Sequence, residues 1–373
     1  MRVVDALPIR DDLRGGTAYG APQLDVPVRL NTNENSYPLP EPVAAAIVEA
    51  VRAEAGGLNR YPDREFTALR TDLAGYLTRA AGHSVHADQV WAGNGSNEVL
   101  QHLFQAFGGP GRTALGFTPA YSMHPLIAHV QATTWLDGLR GDGPEAGAAG
   151  EFDLSVDSAV TQVCAHDPDL VFLVSPNNPT GTALSLDVVA AVLDVARGMV
   201  VVDEAYAEFA RPGTPSALTL LPGHQRLVVT RTMSKAFALA GARVGYLAAD
   251  PAVCDAFRLV RLPYHLSALT QAAARAALAH ADVLLSTVEA IKLQRDRIVD
   301  TLPTLGLRPV PSDANFVLFG GLDDEQATWR ALLERGVLIR DVGIAHHLRV
   351  TAGTEAETSA FLDALAESTK ESQ

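Results

Sequence analysis

The sequence predicts an α/β fold, a sheet buried between helices, followed by a smaller α+β unit. Three observations predict it. Short apolar or β-branched runs alternate with longer segments of helical period. The runs are apolar throughout, as strands covered on both faces must be. Several end in polar or glycine-rich turns, and open α/β sheets bind their ligands beyond such carboxyl ends.

Taken in order, the expected strands are Gln89–Ala92, Arg112–Gly116, Asp169–Val174, Met199–Val202, Arg226–Thr230 and Val244–Ala248. Helical period marks Pro42–Ala55, Arg64–Ala81, Asn97–Phe107 and Leu186–Ala196. These elements make residues 38–265 the large domain, with 1–37 as an arm joining the small domain and 266–373 as a connecting helix and C-terminal small domain. From Ser267 to Thr301 the pattern reads as one Ala-rich helix, stopped before Pro303. Gly141 to Gly150 is a low-complexity tract with the composition of a flexible surface loop, and no function attaches to it.

Composition limits the partners. The chain has 373 residues, 47% of them apolar, which suffices for two buried cores. Its net charge of -14, with no Lys/Arg-rich run, argues against nucleic acid or an anionic membrane, so any anionic ligand must be held locally. The first residues mix acids and bases and lack the apolar core of a secretion signal, and no later run approaches the roughly 18 apolar residues of a membrane span. Cys164 and Cys254 form no CxxC or Cys/His spacing, so neither a disulfide framework nor a metal site is expected. The expected location is the cytoplasm.

Five segments carry chemistry, each weak alone. Ser175-Pro-Asn-Asn-Pro-Thr-Gly181 follows an apolar run and is by itself a turn. Met199-Val-Val-Val-Asp-Glu-Ala-Tyr206 ends another run in two acids and a tyrosine, where a single Asp would pass for a cap. Thr230-Arg-Thr-Met-Ser-Lys235, with Arg243 eight residues on, sets a lysine among hydroxyls and a second cation, enough groups for one anion. Gly93-Asn-Gly-Ser-Asn-Glu98 is a glycine-rich strand-to-helix turn whose N–H groups can face a phosphate, although it fits neither the Walker nor the GxGxxG spacing. Leu348-Arg-Val-Thr351, with Arg340 nine residues before its arginine, reads alone as an edge strand with an exposed charge.

Together these segments resemble the fold-type I pyridoxal-phosphate enzymes of the aspartate-aminotransferase superfamily. Asn178 of NPTG, Asp203 of DEAY 25 residues later, Lys235 and Arg243 occur in that family's order and spacing. Within the superfamily the chain is most similar to the histidinol-phosphate aminotransferases, on the segments RLNTNENSYP, NRYPD, GNGSNE, PAYSMH, DEAYAEF, RTMSKAFALAGARVGYL, VRLPYHLS, SDANFVLF and GVLIRDVG. Ser36 departs from the NENP common there, outside the expected contacts.

The resemblance implies a large domain with a mixed, mainly parallel sheet, and a set of roles. Lys235 becomes the Schiff-base lysine and proton shuttle, a task that requires its pKa to be brought toward neutrality. Asp203 pairs with the pyridine nitrogen, Asn178 and Tyr206 hydrogen-bond the ring's phenolate oxygen, and Tyr121 stacks on the ring. Ser96, Asn97, Thr232, Ser234 and Arg243 hold the cofactor phosphate, and Tyr61 reaches it from the other subunit of a homodimer. Tyr19, Asn33, Tyr264, Arg340 and Arg349 bind substrate, Arg349 as a bidentate fork. The implied reaction is reversible amino transfer between the pair histidinol phosphate/imidazole acetol phosphate and the pair glutamate/2-oxoglutarate in histidine biosynthesis. Aromatic-amino-acid transamination and decarboxylation of a phosphothreonine-like substrate share the same cofactor motifs. A ligand-sensing, DNA-binding role would call for a basic helix-turn-helix segment, and none precedes the domain.

Overall fold

The computed structural model describes residues 7–16, 18–141 and 152–371; the low-complexity tract after Gly141 lies outside them. Its strands are β1 (Val28–Arg29), β2 (Val90–Gly93), β3 (Thr113–Thr118), β4 (Thr134–Leu139), β5 (Leu170–Val174), β6 (Met199–Asp203), β7 (Leu227–Thr232), β8 (Gly245–Ala249), β9 (Arg308–Pro309), β10 (Phe316–Gly320), β11 (Val337–Leu338) and β12 (His347–Thr351).

Seven of these form one sheet in the order β2-β8-β7-β6-β5-β3-β4. Only β8 runs against its neighbours; the pairings from β7 to β4 are parallel. The central strands LVFLV and MVVVD are buried at every position, which explains their unbroken apolar character. Edge strand β4 escaped the sequence reading for the converse reason. It has one neighbour, its side chains are mostly partly exposed, and TWLDGL carries no apolar run.

Two helix expectations need correction. The stretch 267–301 is two helices, Ala268–Ala279 and Ala281–Thr301, broken at His280 (φ -115°, ψ 25°) without a glycine or proline to signal it. The helix expected from Arg64 begins at Thr67, because the Asp63 carboxylate accepts from the N–H groups of Glu65 and Thr67 (2.9 and 2.8 Å) and holds the residues between in a turn.

The C-terminal part forms an antiparallel sheet, β12-β10-β9, and β1 of the N-terminal arm pairs in parallel with β11 in a separate two-stranded sheet. This arm brings Thr32 and Asn33 to Lys235 and Thr351, linking chain start and chain end at one place. Among the described residues no helix is long and apolar enough to cross a membrane.

Candidate active site

A cavity of about 510 Å³ opens where β5, β6 and β7 end, at Val174, Asp203 and Thr232. It is lined by Lys235, Asp203, Tyr206, Asn178, Tyr121, Ser96, Asn97, Thr232, Ser234 and Arg243, and by Tyr19, Asn33, Arg340 and Arg349. Fourteen of the sixteen residues expected from sequence therefore meet in one place. The two others, Tyr61 and Tyr264, stack on each other with ring centroids 4.4 Å apart, and neither lines the cavity of its own chain. Tyr264 sits at φ 60° in the link before the helix Ala268–Ala279, and Tyr61, 80% exposed, borders a separate groove of about 910 Å³.

Lys235 follows β7 on a short turn, and its Nζ donates to the Thr32 carbonyl (3.0 Å). Burial, with Arg349 and Arg243 nearby, brings its pKa down to about 8, against an opposing pull from Glu34. This is the range a proton-shuttling amine needs.

Asp203 ends β6 and is almost fully buried. Its carboxylate accepts from the Ala205 N–H (3.2 Å) and from Nε2 of His124 (3.0 Å), a side chain with no exposure at all. In the sequence His124 carries no signal of this pairing, since a histidine at the start of an apolar helix gives no hint of a partner 79 residues away.

Asn178 is oriented by a cation: its Oδ1 accepts from Nη1 of Arg349 (2.5 Å), so its Nδ2 faces the Tyr206 hydroxyl (3.5 Å). Burial raises the Tyr206 pKa, which keeps the phenol protonated. Arg349 also donates to the Asn31 carbonyl (3.0 Å) and lies over Phe316, while its buried Nε has no partner. Its backbone bridges Arg340 in both directions (2.9 and 3.0 Å), which sets two arginines side by side at the cavity. Burial, foremost, together with Arg340 brings the Arg349 pKa down to about 10.

At the helix Ser96–Phe107, Gly95 adopts φ 84°, no side chain caps the helix start, and a Cβ on Gly95 would strike the Arg243 guanidinium. Gly245 packs so closely that a Cβ there would meet the Ser96 backbone. Thr232 Oγ1 donates to Ser234 Oγ (3.0 Å), which also lies 3.5 Å from Arg243 Nη1. An uncapped helix start, hydroxyls and a guanidinium make an anion cradle. With a carboxylate for a protonated ring nitrogen and an amine near neutrality, this donor set fits pyridoxal phosphate.

Behind the site lies a network that the sequence did not reveal. Arg231, buried, pairs with Glu204 (2.8 Å) and Glu208 (3.1 Å), while Ser216 donates to Glu204 and Tyr76 to Glu208. Neighbouring side chains on a strand point to opposite faces, so Asp203 and Thr232 face the cavity while Glu204 and Arg231 face the core.

Fold and site together define a fold-type I aminotransferase. The family model for aminotransferase class I and II matches residues 26–365, and the chain belongs to that family. It is 63% identical over 365 residues to the histidinol-phosphate aminotransferase of Frankia casuarinae, covering 97% of this chain and 90% of that one. To the histidinol-phosphate aminotransferase of Paenarthrobacter aurescens it is 61% identical, covering 97% and 95%. Among solved structures, histidinol-phosphate aminotransferase from Sinorhizobium meliloti in complex with pyridoxal-5'-phosphate superimposes with a TM-score of 0.79 at 25% identity, covering 93% and 92%.

Proposed function

We propose that the chain is a histidinol-phosphate:2-oxoglutarate aminotransferase that moves the amino group of histidinol phosphate reversibly to 2-oxoglutarate, giving imidazole acetol phosphate and glutamate, in histidine biosynthesis. The observation that carries this reading is one cavity with two cationic clusters, Arg243 with Ser96, Thr232 and Ser234 in one and Arg340 with Arg349 in the other. Lys235 stands within electrostatic reach of both. One cluster suits the cofactor's phosphate and the other suits the phosphate or carboxylate of a substrate. The close relatives of that name support the choice.

Pyridoxal phosphate, when bound, supplies an aldehyde carbon that takes the amino group and a protonated ring that accepts the electron pair left when a Cα–H bond breaks. The chain's own groups do the rest. Asp203 holds the proton on the ring nitrogen, and His124 holds Asp203. Asn178 and Tyr206 would stabilise negative charge on the phenolate oxygen, and Tyr121 would cover the ring. Lys235 Nζ would take the proton from the substrate's Cα and return it to the cofactor. Arg349 grips the carboxylate of glutamate as a fork and, with Arg340, the phosphate of histidinol phosphate. Tyr19 and Asn33 border the same pocket.

The same reading makes the working unit a cytoplasmic homodimer in which Tyr61, exposed in the single chain, is lent to the neighbour's cofactor phosphate. It also takes residues 38–265 as the large domain, 266–373 as the connecting helices and small domain, and 1–37 as the arm that reaches the small domain through β1. A donor screen tests the function. Cofactor-loaded protein is offered histidinol phosphate, phenylalanine, tyrosine, aspartate and threonine phosphate while its visible absorbance is followed. Histidinol phosphate should discharge the absorbance fastest; a response to another donor alone would refute the reading.

A further inference from the structure

Thr351 lies two residues beyond Arg349 on β12 and is nearly fully buried. Its Oγ1 accepts from the Asn33 backbone N–H (3.1 Å) and donates to Asn33 Oδ1 (3.0 Å). Asn33 sits at φ 55°, a left-handed conformation that asparagine tolerates better than most residues, and its carbonyl is held by Asn315 Nδ2 (3.1 Å). The amide orientation is thereby fixed. Turned over, it would leave the hydroxyl proton of buried Thr351 without an acceptor among the described residues.

With Oδ1 taken by Thr351, Asn33 can offer only its Nδ2, and it offers this to the Tyr206 hydroxyl (3.0 Å). Asn178 Nδ2 faces the same oxygen (3.5 Å), its own orientation anchored by Arg349. A phenol oxygen has two lone pairs and one proton. Both amides approach Tyr206 as donors, so its proton goes to neither. Tyr206 lines the cavity, and the cavity is where that proton must point.

We propose that Thr351 is a positioning residue: through Asn33 it fixes the Tyr206 hydroxyl as a hydrogen-bond donor into the cofactor cavity. The inference rests on the pyridoxal-phosphate reading of the site. It gives Asn33 a second role beside bordering the substrate pocket, and it makes β12 the source of two anchors, Arg349 for Asn178 and Thr351 for Asn33. A donor aimed at the cofactor's phenolate oxygen favours its charged form and lowers the pH at which the loaded, substrate-free protein changes its visible absorbance.

The test is that midpoint, read without substrate in the wild type, Thr351→Val, Thr351→Ser, Tyr206→Phe and the double variant Thr351→Val/Tyr206→Phe. Thr351→Val should raise it by about 0.5–1 pH unit, Thr351→Ser should restore it, and Thr351→Val should add nothing once Tyr206 is Phe. An unchanged midpoint in Thr351→Val, or an equal shift with and without the Tyr206 hydroxyl, overturns the proposal, because a merely structural threonine would act in both backgrounds. If Thr351→Val does not fold, Thr351→Ala in the same two backgrounds gives the same comparison. A wild type that develops no visible band with pyridoxal phosphate refutes the cofactor reading itself, and the relay with it.

Discussion

His124 Nε2 lies 3.0 Å from the Asp203 carboxylate; the histidine has no exposure and the carboxylate almost none. A charged acceptor held in that way suits a proton that must stay on a ring nitrogen. Asp203→Asn should therefore cost about 10² or more in kcat, since a neutral amide replaces the charge at the electron sink. His124→Asn should lose about tenfold, because it loosens the carboxylate without removing it. Single-turnover rates at equal cofactor occupancy measure both. Near-normal rates in Asp203→Asn would reduce Asp203 to the end of a strand.

Lys235 carries a pH signature in the cofactor-free protein. Its folded pKa of about 8 lies below its ordinary value of 10.5, so the unfolded chain binds the proton more readily, and stability rises with pH between those values. Lys235→Met removes the buried charge. Its melting temperature should exceed that of the cofactor-free wild type at pH 7, and the gap should close between about pH 8 and 10.5. A gap independent of pH would contradict the burial argument. The same variant should have no transaminase activity at any pH.

Arg340 borders the cavity beside Arg349, and its guanidinium has no hydrogen-bond partner among the described residues. If it is reserved for a substrate phosphate, Arg340→Ala should lower kcat/KM for histidinol phosphate by roughly 10–150-fold, one charge-assisted contact, and leave histidinol nearly unaffected. Equal losses on both substrates would show that Arg340 shapes the pocket without holding the phosphate.

The Arg231 network predicts a stability effect. Arg231→Met leaves Glu204 and Glu208 buried without their cation, at a cost of about 3–5 kcal/mol. Denaturant unfolding measures it. Replacing the three charges together with apolar residues of similar volume should recover much of the loss, since the desolvation penalty disappears with the ions.

Much of this was legible in the sequence, and the gaps have physical causes. Strands β5 and β6 stood out because both faces are buried, while β4, at the sheet edge and partly exposed, carried no such mark. Asp203, Lys235 and Arg243, which meet at the cavity, stand out in the sequence because residue type and spacing recur along one stretch of chain. His124, Thr32 and Thr351 carry no such mark, because they reach the cavity residues only through contacts over 79, 203 and 318 residues, one of them through a backbone carbonyl that has no sequence signal. The break at His280 was hidden for a related reason. An Ala-rich run continues across it, and only tertiary packing separates the two helices.

The substrate is decided by kcat/KM for histidinol phosphate, histidinol and phenylalanine, with 2-oxoglutarate as acceptor. Two arginines on a dianionic phosphate should set histidinol phosphate above histidinol by about two to four orders of magnitude. Phenylalanine should react more slowly than histidinol phosphate, because it leaves polar groups of the pocket unpaired. A kcat/KM for phenylalanine equal to or above that for histidinol phosphate would instead make the chain an aromatic-amino-acid aminotransferase.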